Sequence, residues 1–217
     1  MKLPGTEKLV PVFRHILVAF GLIASISSAH ADAEADFQRG QASYRSGDLS
    51  GSMEPLKKAA DAGHARAQAL YGTLLDDAEL DDEAAKYLKK SADQNDPEGQ
   101  YGLAKMYFTG EAKAPNEAEA GRLMHAAAAQ DHRVAIITLA LAYIRHDARL
   151  GADDPNSPVG GQLLIKAAEF GDSKAIEALA TAYRQGGYGL AQDTSKADYW
   201  AGKLATLVGA PKKGARR

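Results

Sequence analysis

The chain has 217 residues, a formal net charge of −2 at pH 7, 45% hydrophobic residues and no cysteine. Without cysteine there are no disulfides, no thiolate catalysis, no cysteine-bound zinc and no cysteine to carry a lipid anchor. A mildly acidic chain also lacks the broad positive footprint that nucleic acid requires, so no nucleic-acid partner is expected.

At the N-terminus, Lys2, Lys8 and Arg14 precede an apolar run over 16–26, and Ser28-Ala29-His30-Ala31 supplies small residues at the spacing of a cleavage site. This is the layout of a secretory signal peptide over 1–31. The run is far shorter than the ~20 residues of a membrane span. The expected product is a soluble, exported, periplasmic chain with no integral membrane segment after cleavage.

From there a phrase recurs. It reads Lys58-Ala-Ala-Asp-Ala-Gly63, Lys90-Ser-Ala-Asp-Gln-Asn95, Ala126-Ala-Ala-Gln-Asp131 and Lys166-Ala-Ala-Glu-Phe-Gly171. Aligned on Ala60, Ala92, Ala128 and Ala168, each copy has a small residue seven positions on (Ala67, Gly99, Ala135, Ala175). Leu or Tyr stands eleven positions on (Tyr71, Leu103, Leu139, Leu179) and again fifteen on (Leu75, Tyr107, Tyr143, Tyr183). These are helix intervals, so each copy predicts two apolar-striped helices. Between them, Gly63, Asn95, Asp131 and Gly171 are residue types that enter the left-handed region at least cost, as a helix C′ position demands.

In chain order the pattern predicts a short helix near 34–45, the second half of a degenerate opening unit. First helices follow at 52–62, 83–94, 117–130, 158–170 and 195–208, and second helices at 65–76, 97–108, 133–147 and 173–185. Asp96-Pro97, Ser157-Pro158 and Asp172 are N-cap signals, and Asn116 with Glu119 resembles a capping box. Trp200 sits where Tyr87 and Leu163 do, in a unit without a second helix that would cover the stack. The predicted organisation is all-α: a right-handed superhelical solenoid of antiparallel helix hairpins over 32–208, with about four full repeats and partial end units. Residues 209–217 form a basic tail without fixed structure.

The phrase at 166–171, then Ala175, Leu179-Ala180, Tyr183 and Gly186, and the later Asp193, Lys196-Ala197 and Trp200, resemble the Sel-one-like repeat family, a short relative of the tetratricopeptide repeats. The first copy departs from it, with Leu75 in place of Tyr and no glycine at Ala78. The resemblance implies a non-enzymatic adaptor, scaffold or regulator that works by protein–protein interaction in the cell envelope. Its partner would be a protein or an extended peptide in a concave groove, such as an envelope signalling or secretion component. The alternative it implies is an exopolysaccharide- or cell-wall-associated accessory protein that binds carbohydrate.

For a curved stack the reading places the concave face on the first helices. The candidate contact residues are therefore Lys86, Lys89, Arg122 and His125, together with Asp76, Asp77, Asp81 and Asp82 of an acidic run at the joint of the first two full units. That run lacks the glycine-bearing loop of a calcium site, so no metal and no cofactor are expected. The histidines within the repeats have no catalytic spacing and read as helix caps or surface residues, and no catalytic residue is assigned. The insertion over 146–158 reads as a surface loop.

Overall fold

The computed structural model describes residues 30–112 and 116–209, and these form ten α-helices joined by short turns. Helix α1 spans 30–45. Four hairpins follow: α2 (Leu49–Asp61) with α3 (Ala65–Asp77), α4 (Asp81–Asp93) with α5 (Pro97–Thr109), α6 (Glu117–Ala129) with α7 (Arg133–Arg145), and α8 (Pro158–Glu169) with α9 (Ser173–Gln185). Helix α10 (Thr194–Gly209) closes the series. Most of the leader expected over 1–31, and the tail from 210, lie outside the described residues.

The hairpins exist because their turns are chemically specified. Gly63, Asn95, Asp131 and Gly171 all take positive φ, at 91°, 62°, 61° and 87°. In each turn two backbone bonds close the helix, as where Gly63 N–H donates to Ala60 C=O at 3.1 Å and His64 N–H to Ala59 C=O at 3.0 Å. That pair is the Schellman arrangement, and it satisfies carbonyls the helix end would otherwise leave bare. The next residue caps the following helix. Asp96 Oδ1 accepts from Gly99 N–H at 3.0 Å, and Asp172 Oδ1 from Ala175 N–H at 2.8 Å. Asn116 accepts from Glu119 N–H, but the Glu119 carboxylate bonds Arg122, so the expected box is only half made. Ser157 makes no side-chain cap bond, leaving Pro158 alone to open α8. Helix α4 begins two residues earlier than the pattern predicts, with Asp81, Asp82 and Glu83 in its first turn, where the helix dipole favours acids.

Each helix packs on its neighbours in sequence, and α3 also touches α5 as α7 touches α9. The stack is thus held together by nearest-neighbour contacts. Leu56, Leu88, Met124 and Leu164, one per first helix, are wholly buried or nearly so. They are wedged where small residues let backbones approach. A Cβ added to Gly72 would lie 2.8 Å from Leu88 Cγ, and one added to Gly102 would lie 2.7 Å from Leu88 Cδ2. Truncating such a wedge to alanine costs about 2–5 kcal/mol.

The insertion after α7 is not a free loop. It contains a 3-10 turn at Ala148–Leu150 that packs on α6, with Leu150 and Ala152 buried. The Arg149 guanidinium lies 4.5 Å from the Phe108 ring centroid.

Candidate functional site

The two rows of helices differ in how much surface they keep. First helices bury one face and leave a wide polar one; α4, for example, exposes Asp82, Glu83, Lys86, Lys89, Lys90 and Asp93. The second helices α3 and α5 are nearly surrounded, whereas α9, near the end of the stack, exposes six residues. On α3 only Arg66 and Asp77 are fully exposed, and Leu70 and Thr73 are half-buried between them. In a curved stack the inner helices crowd together, and here it is the second helices, α3 with α5 and α7 with α9, that touch across repeats. The concave face is therefore the row of second helices. This corrects the expectation from sequence, which put it on the first helices.

A pocket of about 310 Å³ opens on this row and spans three successive second helices. Phe37, Gln41, Tyr44 and Arg45 come from α1, Arg66 and Leu70 from α3, and Pro97 and Glu98 from α5, with Asp96 just before it. The Arg66 guanidinium lies 4.9 Å from the Phe37 ring centroid. Cations on α1 and α3 thus face acids at the start of α5 across an aromatic and aliphatic floor. Arg66 and Glu98 occupy the same helix position in successive units yet carry opposite charge, which distinguishes that position from the repeated Leu, Ala and Tyr of the core.

Two histidines hold lining residues in place, His64 against Phe37 and His132 against Glu98. His64 Nδ1 accepts the cap bond from Ala67 N–H at 3.1 Å, which leaves the ring proton on Nε2 to donate to Glu34 at 2.8 Å. The ring stacks on Phe37 with centroids 4.5 Å apart. His132 repeats the arrangement. It caps Ala135 N–H at 3.1 Å, bonds Glu98 at 2.8 Å and stacks on Tyr101 at 4.7 Å. Each imidazole ties the start of one second helix to a second helix of an earlier unit. The His132 bond holds the Glu98 carboxyl below its ordinary value. Glu34 is lowered likewise, first by the Gln38 amide and then by His64. Sequence reasoning allowed these histidines as caps but missed the latch. Its signal was the paired spacing Glu34-x-x-Phe37 before His64 and Glu98-x-x-Tyr101 before His132.

Amides make a second set of ties. Gln94 Nε2 donates to Gln68 Oε1 at 2.7 Å and Gln130 Nε2 to Gln100 Oε1 at 2.9 Å. At the next junction the same places hold Ile136 and Phe170, with the Arg133 guanidinium 5.0 Å from the Phe170 ring centroid.

The residues singled out from sequence fall elsewhere. Lys86 and Lys89 are exposed on the outer row, Lys89 bonded to Asp93 at 2.8 Å. Arg122, also outward, is held by Glu119, which raises its pKa. His125 Nε2 lies 3.0 Å from Leu150 C=O and lines a shallow outer pocket of about 330 Å³ with Val159 and Lys166. Asp76 is bonded to Lys105 of α5 at 2.7 Å, an inter-repeat tie that raises the lysine pKa. Asp77 is exposed, while Asp81 and Asp82 border an acidic hollow of about 560 Å³ around Leu80. The structure does not bring these eight residues together. Among the described residues no group of three or more His, Asp or Glu could hold a metal ion, and no helix is long and apolar enough to cross a membrane.

No family model matches the sequence, and no curated protein does either. Solved structures do match. A Sel1 repeat protein from Oxalobacter formigenes is 22% identical with a TM-score of 0.61, over 74% of this chain and 46% of its own. A protective antigen present in uropathogenic Escherichia coli strains, displaying an SLR fold, is 27% identical with a TM-score of 0.63, over 82% of this chain and 38% of its own. A sel1 repeat protein from Klebsiella pneumoniae is 22% identical with a TM-score of 0.54, over 83% and 89%. The chain spans less than half the length of the first two.

Proposed function

We propose that this chain, a Sel1-like repeat solenoid by its fold, is a non-enzymatic adaptor of the cell envelope that holds a segment of another protein along its inner row. The observation that carries this reading is the pocket that crosses α1, α3 and α5, lined by side chains that differ from one repeat to the next. Repetition makes a scaffold, and the positions that escape it are where selectivity resides. An extended peptide lying across three helices would meet Arg45 and Arg66 first, then the Phe37 and Leu70 floor, then Glu98. Such a ligand carries an acidic residue, an apolar one and a basic one in that order, since complementary charge fixes register. The exposed Tyr44, Arg45 and Arg66 side chains around the buried Phe37 ring are of the residue types that dominate binding energy.

Export to the periplasm is part of the proposal and rests on the leader layout in the sequence alone. N-terminal sequencing of the protein purified from a periplasmic fraction tests it, with a start at Asp32 expected. The carbohydrate reading calls for a row of exposed aromatics. The two exposed aromatics, Tyr44 and Tyr199, lie at opposite ends of the described residues, so no second reading is advanced.

Site-specific photocrosslinking in intact cells tests the adaptor reading. A photoreactive residue at Leu70 should give discrete adducts that disappear in an Arg66→Glu background, and one at Lys86 should give none. Equal adducts from both positions, or adducts indifferent to Arg66→Glu, would remove the groove from the proposal.

A further inference from the structure

The four hairpins cap their second helices in alternation. His64 caps α3, Asp96 caps α5, His132 caps α7 and Asp172 caps α9. What faces the cap alternates with it. Where the cap is histidine, the preceding second helix supplies a glutamate and, three residues on, an aromatic ring. These are Glu34 and Phe37 for His64, and Glu98 and Tyr101 for His132. Where the cap is aspartate, the same two places hold Arg66 and Ala69, or Val134 and Ile137. Histidine, acid and ring thus come as a set, twice, and neither aspartate has one.

Each imidazole has both nitrogens committed, to partners with opposite needs. Nδ1 accepts from Ala67 N–H or Ala135 N–H at 3.1 Å, and Nε2 donates to its glutamate at 2.8 Å. Only a neutral ring protonated at Nε2 does both. A second proton goes to Nδ1 and turns the acceptor into a donor aimed at a backbone N–H. It also sets a positive charge at the positive end of a helix. Water gives little relief, because the His64 side chain is 16% exposed and the His132 side chain 8%. The glutamate pulls the other way, since a charged ring binds a carboxylate more tightly than a neutral one does. Glu34, through Gln38 and then His64, and Glu98, through His132, are held below the ordinary carboxyl value and stay charged while imidazoles titrate. The other charges around the rings are engaged elsewhere. Asp61 at the end of α2 bonds Lys57 and Tyr87, and Arg66 lies over the Phe37 ring. Lys105, one turn beyond Tyr101, bonds Asp76; Asp131 pairs with Lys166 of α8, and Arg133 donates to Phe170 C=O.

We infer that His64 and His132 are proton-operated catches: in acid each ring stays with its glutamate and lets go of its helix. The second helices of the first and third hairpins are then uncapped, and those of the second and fourth are not. An aspartate cap does not switch in this way, because a carboxyl group accepts a hydrogen bond with or without its proton. The neutral rings hold at high pH, and the hold is lost as pH falls through the range in which imidazoles take up a proton. Both released helices belong to the inner row, so acid softens that row at alternate repeats. The inference requires no occupant of the groove and stands or falls apart from it.

Amide exchange of the full chain, followed by nuclear magnetic resonance without any ligand, tests the catches against controls inside the same molecule. From about pH 8 to about pH 5, the protection factors of Ala67 and Ala135 N–H should fall about fivefold, the effect of a lost cap. The reference is Gly99 and Ala175 N–H, which the aspartates hold. His132→Asn keeps a good cap that takes up no proton, so the variant folds. It should abolish the fall at Ala135 and leave the fall at Ala67, and His64→Asn should do the converse. Protection at Ala67 and Ala135 that keeps pace with the two controls would overturn the inference. So would a response at only one histidine, or a fall at Ala135 that survives His132→Asn.

Discussion

Replacing Gly171 by alanine isolates the backbone term of the repeat turn. Its φ is +87°, and an added Cβ would find no heavy atom within 4 Å. The substitution creates no clash, removes no contact and leaves the Phe170 and Asp172 hydrogen bonds of the turn intact. What remains is the cost of holding an L-residue in the left-handed region, about 1–2 kcal/mol. Valine should cost about 2 kcal/mol or more because branching narrows that region further, and asparagine only a few tenths, roughly. Gly63, at φ +91° with the same empty surroundings, should give the same series. For a domain of this size 1 kcal/mol corresponds to about 2–4 °C in Tm. Urea unfolding can be followed in parallel by far-ultraviolet circular dichroism, which reads the whole stack, and by Trp200 emission, which reads the α10 end. Gly171→Ala should move both midpoints, and Gly63→Ala the circular dichroism more than the emission, because coupling runs only between neighbours. An alanine variant as stable as wild type, or alanine no worse than asparagine, would refute the reasoning.

Two further outcomes are expected. The Ser91 hydroxyl is buried without a hydrogen-bond partner, so Ser91→Ala should stabilise the fold by about 1 kcal/mol, read as a higher urea midpoint at unchanged m-value; a lower midpoint would mean that the hydroxyl is satisfied. The Tyr87 hydroxyl donates to Asp61 at 2.7 Å, and burial first, then this bond, pushes the phenol up to about 12. Folding favours the protonated phenol, so its contribution is complete below the ordinary value of 10 and is lost as pH rises towards 12. Burial also raises Tyr71, Tyr101 and Tyr188, so ultraviolet titration should show a late-ionising component whose amplitude near pH 12 Tyr87→Phe reduces. The same variant should flatten the fall in stability over that range, and an unaltered titration curve would contradict the assignment.

The hairpins were legible in the sequence because their turns are local chemistry. Gly63, Asn95, Asp131 and Gly171 announce a left-handed residue, and Asp96 and Asp172 a cap, without reference to anything distant. The groove was not legible in the same way. Both helix rows carry apolar stripes, so periodicity alone does not say which row lies inside the curve. Charge density held part of the signal, in one hairpin: α4 has seven charged residues and α5 two, although α8 has two and α9 three. A helix hemmed in by neighbours on three sides has little room for ions. Lys86, Lys89, Arg122 and His125 were conspicuous because they are exposed, and exposure is what the outer row offers. Tyr44, Arg45 and Arg66 were overlooked because α1 belongs to a degenerate unit and Arg66 sits in the first turn of a second helix. The histidine latches needed three dimensions, since each joins residues about 30 apart that no helix period connects.

The glutamine rungs have a mechanical consequence. An amide pair is directional, so Gln68 with Gln94, and Gln100 with Gln130, resist rotation of one hairpin against the next. At Ile136 and Phe170 the amide rung is absent, and directional ties pass instead to charged groups: the Arg133 guanidinium donates to Phe170 C=O at 2.9 Å, and Lys166 pairs with Asp131. The means of fixing one hairpin against the next therefore changes along the stack, from neutral amides to ions.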